Sequence, residues 1–276
     1  MIGNAVRIER ENPAPRVAEH HANGEGIAKI GYPIGIRTVT LLSKRYVTPS
    51  VLRLTVGGPG LEGFHTHQAD DHFKIVFPDA DGTVRLPVPD DELSLTWPHP
   101  SPTSRRYTAR RYDAGAGELD IDLVIHPGGV ASDWAVAAEP GADVVIAGPP
   151  GAKAFPHNYD HYVFAVDTTA LPAAARWLEE SPLDVSAHIV VETELPDEHR
   201  YPLAARAGVR VTWLALEGGA STLAETVHAL PLPEGRVFLF AAGEADDIKP
   251  LRAWARGRLD ALFTGYWRRG VAGLED

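Results

Sequence analysis

Arg105-Arg106-Tyr107-Thr108-Ala109-Arg110 is followed by Leu119, Ile121, Leu123 and Ile125 at every second position, and then by His126-Pro127-Gly128-Gly129-Val130-Ala131-Ser132-Asp133-Trp134-Ala135. The first stretch places a basic residue two before an aromatic and follows the aromatic with a hydroxyl. On one extended strand these groups can hold a phosphate, cover an isoalloxazine ring and donate a hydrogen bond to it. The last stretch opens a helix whose small residues let a backbone approach a pyrophosphate, with N–H groups and the positive end of the macrodipole directed at it. The pair describes a flavin seat on a β scaffold.

The same period of two extends upstream, through Leu52, Leu54 and Val56 and then Phe73, Ile75 and Phe77. Such alternation predicts antiparallel strands, apolar on one face and watered on the other, closing as a small barrel over residues 35–155. A proline-rich loop at 87–102 interrupts it. Residues 1–34 are polar and carry Pro13, Pro15, His20, His21, Gly24 and Gly26, so they read as a loosely ordered extension.

After Pro156 the texture changes to apolar runs alternating with helical stretches: Tyr162 to Val166, Leu171 to Glu180, His188 to Val191, Val209 to Leu214, Leu223 to Leu230, Val237 to Ala241 and Ala245 to Leu259. That order predicts a parallel sheet with crossover helices over 156–276, ending in a C-terminal helical extension. Pro172 suits a helix's first turn, with Thr168-Thr169 as candidate caps. Ligands of such sheets bind beyond the carboxyl ends of strands, which directs attention to Asp167 to Ala170 and Gly243 to Asp246. The fold class is thus β plus α/β, an antiparallel barrel followed by a nucleotide-binding sheet.

The 276 residues include 26 Lys and Arg against 37 Asp and Glu, a net charge of −11 that repels nucleic acid and anionic membrane. There is no cysteine, which removes disulfides, iron–sulfur clusters and thiol catalysis together. Redox chemistry must then use a bound cofactor. No window is long and apolar enough to span a bilayer, and the simplest compartment is the cytoplasm.

These segments, in this order, resemble the siderophore-interacting protein family, flavin-dependent ferric-siderophore reductases related to the ferredoxin reductases. The likeness runs from about Ile36 to Gly270. It is carried by Arg105-x-Tyr107-Thr108-x-Arg110, by His126 to Ala135 with Pro140-Gly141 and Gly148-Pro149-x-Gly151, by Asp167-x-Thr169-Ala170-Leu171-Pro172, and by Ala242-Gly243-Glu244-Ala245 with Gly265-Tyr266-Trp267-Arg268-Arg269-Gly270.

The resemblance implies FAD, held by Arg105 at its phosphate, Tyr107 on the ring, Thr108 near N5, and by Arg110, His126, Gly129, Val130, Ala131 and Ser132. It implies NADPH or NADH near Asp167, Thr169, Ala170, Gly243 and Glu244. A flavin accepts an electron pair from nicotinamide and releases electrons singly to iron, so no protein acid or base is obligatory. Ferrous ion binds hard anionic ligands less tightly than ferric and is released. Lys74 and Arg268 are candidates for contact with an anionic ferric-siderophore.

Two departures from the family pattern carry weight. Asp133 stands where some relatives have a basic residue, which leaves hydroxamate substrates open beside catecholates. Val166 and Thr168 replace a glycine and a glutamate of many members, so electrons could arrive from a reduced ferredoxin docking on Arg252, Arg256, Arg258, Arg268 and Arg269. A non-enzymatic binding protein and a diaphorase acting on small acceptors stay open as alternatives. His65, His67, His72, Asp70 and Asp71 read as a polar turn rather than a metal site.

Overall fold

The computed structural model describes residues 6–7, 11–90, 94–216 and 218–272. In chain order the strands of the first half are β1 (Val6–Arg7), β2 (Ala28–Gly31), β3 (Gly35–Thr48), β4 (Val51–Gly57), β5 (His72–Val76), β6 (Val88–Pro89), β7 (Leu95–Thr96), β8 (Ser104–Thr108), β9 (Arg111–Asp113), β10 (Glu118–Val124), β11 (Asp143–Ala147) and β12 (Gly151–Ala154). Helices α1 (Ala14–Asn23) and α2 (Val130–Ala137) accompany them.

The main ladder runs β8-β5-β11-β3-β4-β10-β9, its neighbours antiparallel. It closes on itself because β8 passes almost directly into β9. Ala109 N–H donates to Asp71 O beside β5, and Arg110 N–H donates to Asp120 O of β10. The barrel follows from that one continuous edge. Its interior is filled by the residues the period of two selects: Leu52, Leu54, Val56, Phe73, Ile75, Phe77, Leu119, Ile121 and Leu123, joined by Ala131 and Ala135 of α2.

The opposite face of β4 and β10 differs from the watered face that alternation predicts. Arg53 and Asp122 are buried there and form a two-point ion pair at 2.6 and 2.7 Å, with Thr55 Oγ1 donating to Asp120 at 2.7 Å beside it. Cross-strand register places each donor directly opposite its acceptor. Periodicity reports polarity, and paired polar groups can be buried as well as apolar ones.

The N-terminal region is also better ordered than its composition suggests. Residues 1–5 and 8–10 of the predicted extension lie outside the described residues, but Asn12 Oδ1 accepts from Ala14 N–H and starts α1, in which Val17 is buried. Pro13 and Pro15 sit at the head of this helix, where a missing N–H is harmless. Ile30, Tyr32 and Ile34 are buried too.

The second half holds β13 (His161–Asp167), α3 (Leu171–Glu180), β14 (Ser186–Thr193), β15 (Val209–Ala215), α4 (Leu223–His228), β16 (Val237–Glu244), α5 (Ala245–Ala255) and β17 (Asp260–Trp267). The strands form a parallel sheet in the order β15-β14-β13-β16-β17. Tyr162, Phe164, Phe238 and Phe240 meet Trp177 of α3 and one another on one face. Val163, Ala165, Leu239 and Ala241 pack with α4 and α5 on the other.

The C-terminus corrects the sequence reading: the predicted helical extension is instead the edge strand β17. The helix stops at Ala255, Gly257 turns the chain at φ +70°, and the Phe263-Thr264-Gly265-Tyr266-Trp267 run has the aromatic and branched character of a strand.

The chain forms two compact units, one of Lys29–Ala152 with the described residues up to Val17, the other of Ala18–Ala28 with the described residues from Lys153 onward. The region expected as a separate extension is therefore divided between them.

Candidate functional site

On β8 the side chains alternate between two environments. The register with β5 sets Arg105 opposite Ile75 and Tyr107 opposite Phe73, so these two share the face of the barrel core. Tyr107 packs on that core, and burial pushes its phenol well above the ordinary range against the pull of the Arg105 charge. Arg105 Nη1 donates to Ser104 O at 2.8 Å, which holds the guanidinium close to its own strand. Arg106 and Thr108 take the other face, opposite Lys74 and His72. Thr108 and Arg110 are buried.

Gly129 is the residue ahead of α2, and no side chain caps the helix it opens. Ser132 does not cap: its Oγ accepts the backbone N–H of His126 at 3.1 Å, because it lies inside the helix with the preceding loop folded over it. A Cβ on Gly129 would stand 2.5 Å from the His126 ring and 3.0 Å from Ser132 Oγ. The amino end of α2 is thus an uncapped set of donors behind a glycine, fitted to a phosphate group. Val130 and His126 are exposed beside it, while Ala131 and Ser132 are buried. The donor set of this barrel fits a dinucleotide: Arg105 for charge, the amino end of α2 for phosphate, Tyr107 for an aromatic ring.

Lys74 Nζ lies over the Trp97 ring, 4.6 Å from its centroid, within cation–π range. Arg106 stands directly across the ladder from it.

In the second unit the strand order reverses between β13 and β16, the position where ligands of open α/β sheets bind. Asp167, Thr169, Ala170, Gly243 and Glu244, far apart in sequence, all gather at that edge. Their polar groups are already joined. Asp167 accepts from Thr169 N and Oγ1 through Oδ1, and from Glu244 N–H at 2.8 Å and Trp267 Nε1 at 2.7 Å through Oδ2. Burial pushes the Asp167 carboxyl above the usual aspartate range, with these donors pulling against it. The cap expected from Thr168-Thr169 is absent: α3 has no side-chain cap, and Asp167 caps the single 3-10 turn Thr168–Ala170 that leads into it.

Gly243 has φ +141°, and a Cβ there would lie 2.5 Å from the Asp167 carboxylate. Glu244, itself buried, caps α5 through Asp246 and Asp247 N–H and accepts Arg269 N–H. Burial pushes Glu244 up, but the three backbone donors and the Arg269 charge outweigh it and hold the carboxyl below its ordinary range. Sequence reasoning placed these residues together and missed the role of Trp267, which no local pattern links to Asp167.

Four of the C-terminal arginines, Arg252, Arg258, Arg268 and Arg269, are engaged within the unit. Arg268 pairs with Asp246 at 3.3 Å and Arg269 with Asp247 at 2.7 Å, while Arg252 lies over Phe263 and Arg258 over Trp254. Among the described residues no group of three or more His, Asp or Glu is disposed to hold a metal ion. No helix of them is long and apolar enough to cross a membrane.

An antiparallel barrel in one chain with a five-stranded parallel sheet is the two-module plan of the flavin reductases. Within that class the family is specific. Residues 40–153 match the siderophore-interacting FAD-binding domain and residues 159–270 the siderophore-interacting protein domain. The chain is 32% identical over 248 residues to the ferric vibriobactin reductase ViuB of Vibrio cholerae, covering 85% of this chain and 90% of that protein. It is 34% identical over 218 residues to the NADPH-dependent ferric-chelate reductase of Escherichia coli, covering 78% and 84%. The crystal structure of a siderophore utilization protein from T. fusca superposes with a TM-score of 0.83 at 37% identity, over 90% of this chain and 98% of that one. The chain belongs to the siderophore-interacting protein family, and its barrel is an FAD-binding domain.

Proposed function

We propose that this protein is a cytoplasmic, FAD-dependent reductase of ferric-siderophores that draws electrons from NADPH. The observation that carries the reading is the uncapped amino end of α2 behind Gly129, in the same unit as Arg105, Tyr107 and Thr108. Bound FAD would supply the conversion of an electron pair into single electrons for ferric iron. Arg105 would neutralise flavin phosphate with the α2 N–H groups, Tyr107 would cover the ring, and Thr108, the last residue of β8, would hold N5. Arg110, His126, Val130, Ala131 and Ser132 shape the backbone around these contacts.

Asp167, Thr169, Ala170, Gly243 and Glu244 form the edge that receives the nicotinamide nucleotide on this reading. The substitutions at Val166 and Thr168 leave that edge internally bonded rather than broken, which supports NADPH over a ferredoxin donor. The engagement of the C-terminal arginines points the same way. Lys74 would contact an anionic ferric complex; Arg268, paired with Asp246, is a separate candidate for such a contact.

Purified protein should show the visible spectrum of oxidised flavin, bleach anaerobically with NADPH, and regain colour with a ferric-siderophore as a ferrous trap fills. Protein that stays colourless after incubation with FAD sinks the proposal. Flavin that bleaches with reduced ferredoxin but not with NADPH or NADH replaces the donor. Bleached flavin that returns its electrons to quinones and not to iron favours a diaphorase.

A further inference from the structure

We propose that the edge strand β15 pairs with β15 of a second copy of this chain, joining two five-stranded sheets into one across a two-fold axis. β15 ends the strand order and hydrogen-bonds to β14 alone. The direction of its backbone groups follows from the two ends of that ladder. Ala187 N–H donates to Gly208 O at 3.0 Å, and Leu216 N–H donates to Thr193 O at 2.8 Å. Between those bonds the pairing alternates, so Arg210, Thr212 and Leu214 turn their N–H and C=O groups to β14, whereas Val209, Val211, Trp213 and Ala215 turn theirs outward. Those outward groups have no partner among the described residues.

Sheet edges of soluble proteins are ordinarily guarded by proline, lysine or a bulge. β15 has none of the three: it reads Val-Arg-Val-Thr-Trp-Leu-Ala, and its register with β14 runs without a shift. Every one of the seven residues keeps some solvent exposure. The opposite edge is treated differently. β17 shifts register between Gly243 and Glu244, and the chain beyond it turns back through a bridge between Arg268 and Val271.

The occupant that fits this edge is another β15. A two-fold axis through Thr212 sets the two strands antiparallel, with Val209 across from Ala215 and Val211 across from Trp213 of the other copy. All the outward N–H and C=O groups of both copies are then bonded. Val211 on Trp213 is a β-branched residue against an aromatic, and Thr212 meets Thr212; both are favourable cross-strand pairs. Like charges do not meet. Arg210 falls across from Leu214, toward the end of the other copy where Glu194 follows β14. Arg210 and Glu194 are both exposed, and neither is ion-paired within its own chain. The amino end of this edge is therefore basic and the carboxyl end acidic, which an antiparallel copy complements.

Sedimentation of the full chain over roughly 1–300 μM, the range of a small and reversible interface, should show the mass rising from one chain toward two. In 15N-labelled protein the amides of Val209, Val211, Trp213 and Ala215 should exchange more slowly at the high end of that range, while those of Arg210, Thr212 and Leu214 stay protected throughout. Val211→Pro removes an outward N–H, leaves the β14 ladder whole, and should sediment as a single chain. Arg210→Glu and Glu194→Arg should each raise the dissociation constant on the order of tenfold, and the two together should return it toward that of the wild type. A single-chain mass at every concentration overturns the proposal. So does a dimer that Val211→Pro and both charge reversals leave intact, since another face would then hold it.

Discussion

The Asp167 carboxylate accepts the indole N–H of Trp267 at 2.7 Å across 100 residues of sequence. The same oxygen accepts the backbone N–H of Glu244, so one atom ties the carboxyl ends of β13, β16 and β17. An aspartate at this position is thus a clamp on the edge where the nucleotide is proposed to bind.

Asp167→Asn should loosen that clamp. Its amide presents two donors where the site supplies donors, leaving one N–H buried without an acceptor, at about 1–3 kcal/mol. Urea unfolding should show the loss, and Trp267 emission should shift to the red as the indole is released. Emission and midpoint both unchanged would remove the clamp.

Gly243→Ala should be more damaging than Asp167→Asn. Its Cβ would meet the carboxylate at 2.5 Å from a backbone at φ +141°, a conformation that costs a non-glycine residue about 1–3 kcal/mol before any clash is counted. The expected outcome is a lower melting temperature with flavin content retained, since FAD is read as belonging to the barrel.

Asp122→Ala should destabilise the barrel by about 3–5 kcal/mol, because it removes the two-point carboxylate partner of the buried Arg53 guanidinium. Arg53→Met combined with Asp122→Leu should recover most of that loss, since both charges then leave together. A double variant as unstable as Asp122→Ala would show that packing, not charge, holds this face.

His157 stacks on His21 at 4.0 Å, and burial, reinforced by the His21 charge, lowers its pKa from 6.5 to about 3. The folded state therefore binds fewer protons than the unfolded chain between those values. Its stability is fully present above pH 6.5 and declines as pH falls toward 3, with a slope of up to about 1.4 kcal/mol per pH unit. His157→Phe should flatten that slope in denaturant titrations at stepped pH; a slope identical to wild type would assign the acid sensitivity elsewhere.

Lys74→Ala should raise KM for an anionic ferric chelate about threefold to tenfold, the loss of one charge-assisted contact, while leaving flavin content alone. Trp97→Ala should raise it in the same sense by freeing the ammonium from its ring. An unaltered KM in Lys74→Ala would return the lysine to the ordinary surface.

Much of this architecture was legible because apolar spacing is a direct image of burial. Leu119, Ile121 and Leu123 announced a barrel strand, and the runs from Tyr162 and Val237 announced neighbouring strands of the sheet. The gathering of Asp167 with Gly243 followed from the rule about strand ends. What stayed hidden depends on partners remote in sequence or on context. Pro13 and Pro15 look like loop residues unless Asn12 is seen to start a helix ahead of them. Arg53 and Asp122 look solvated unless their register is known. Only the folded loop shows that the Ser132 hydroxyl is taken by the backbone N–H of His126. Trp267 donates to Asp167 across 100 residues of sequence, a partnership no local pattern announces.

The division of the N-terminal region has a consequence for how the chain is made. Residues 18–28 bond to partners made much later: Asn158 Nδ2 donates to Ala22 O and Gly24 O, and Gly26 N–H donates to Tyr159 Oη, which itself donates to Asp260. In chain terms the flavin barrel is an insertion within the second unit. On a ribosome the barrel can close as soon as residue 152 has emerged, whereas the segment before it must wait for nearly the whole of the remaining polypeptide. A chain in which residues 18–28 run directly into Lys153, with the barrel segment 29–152 excised, should let the second unit fold without that wait.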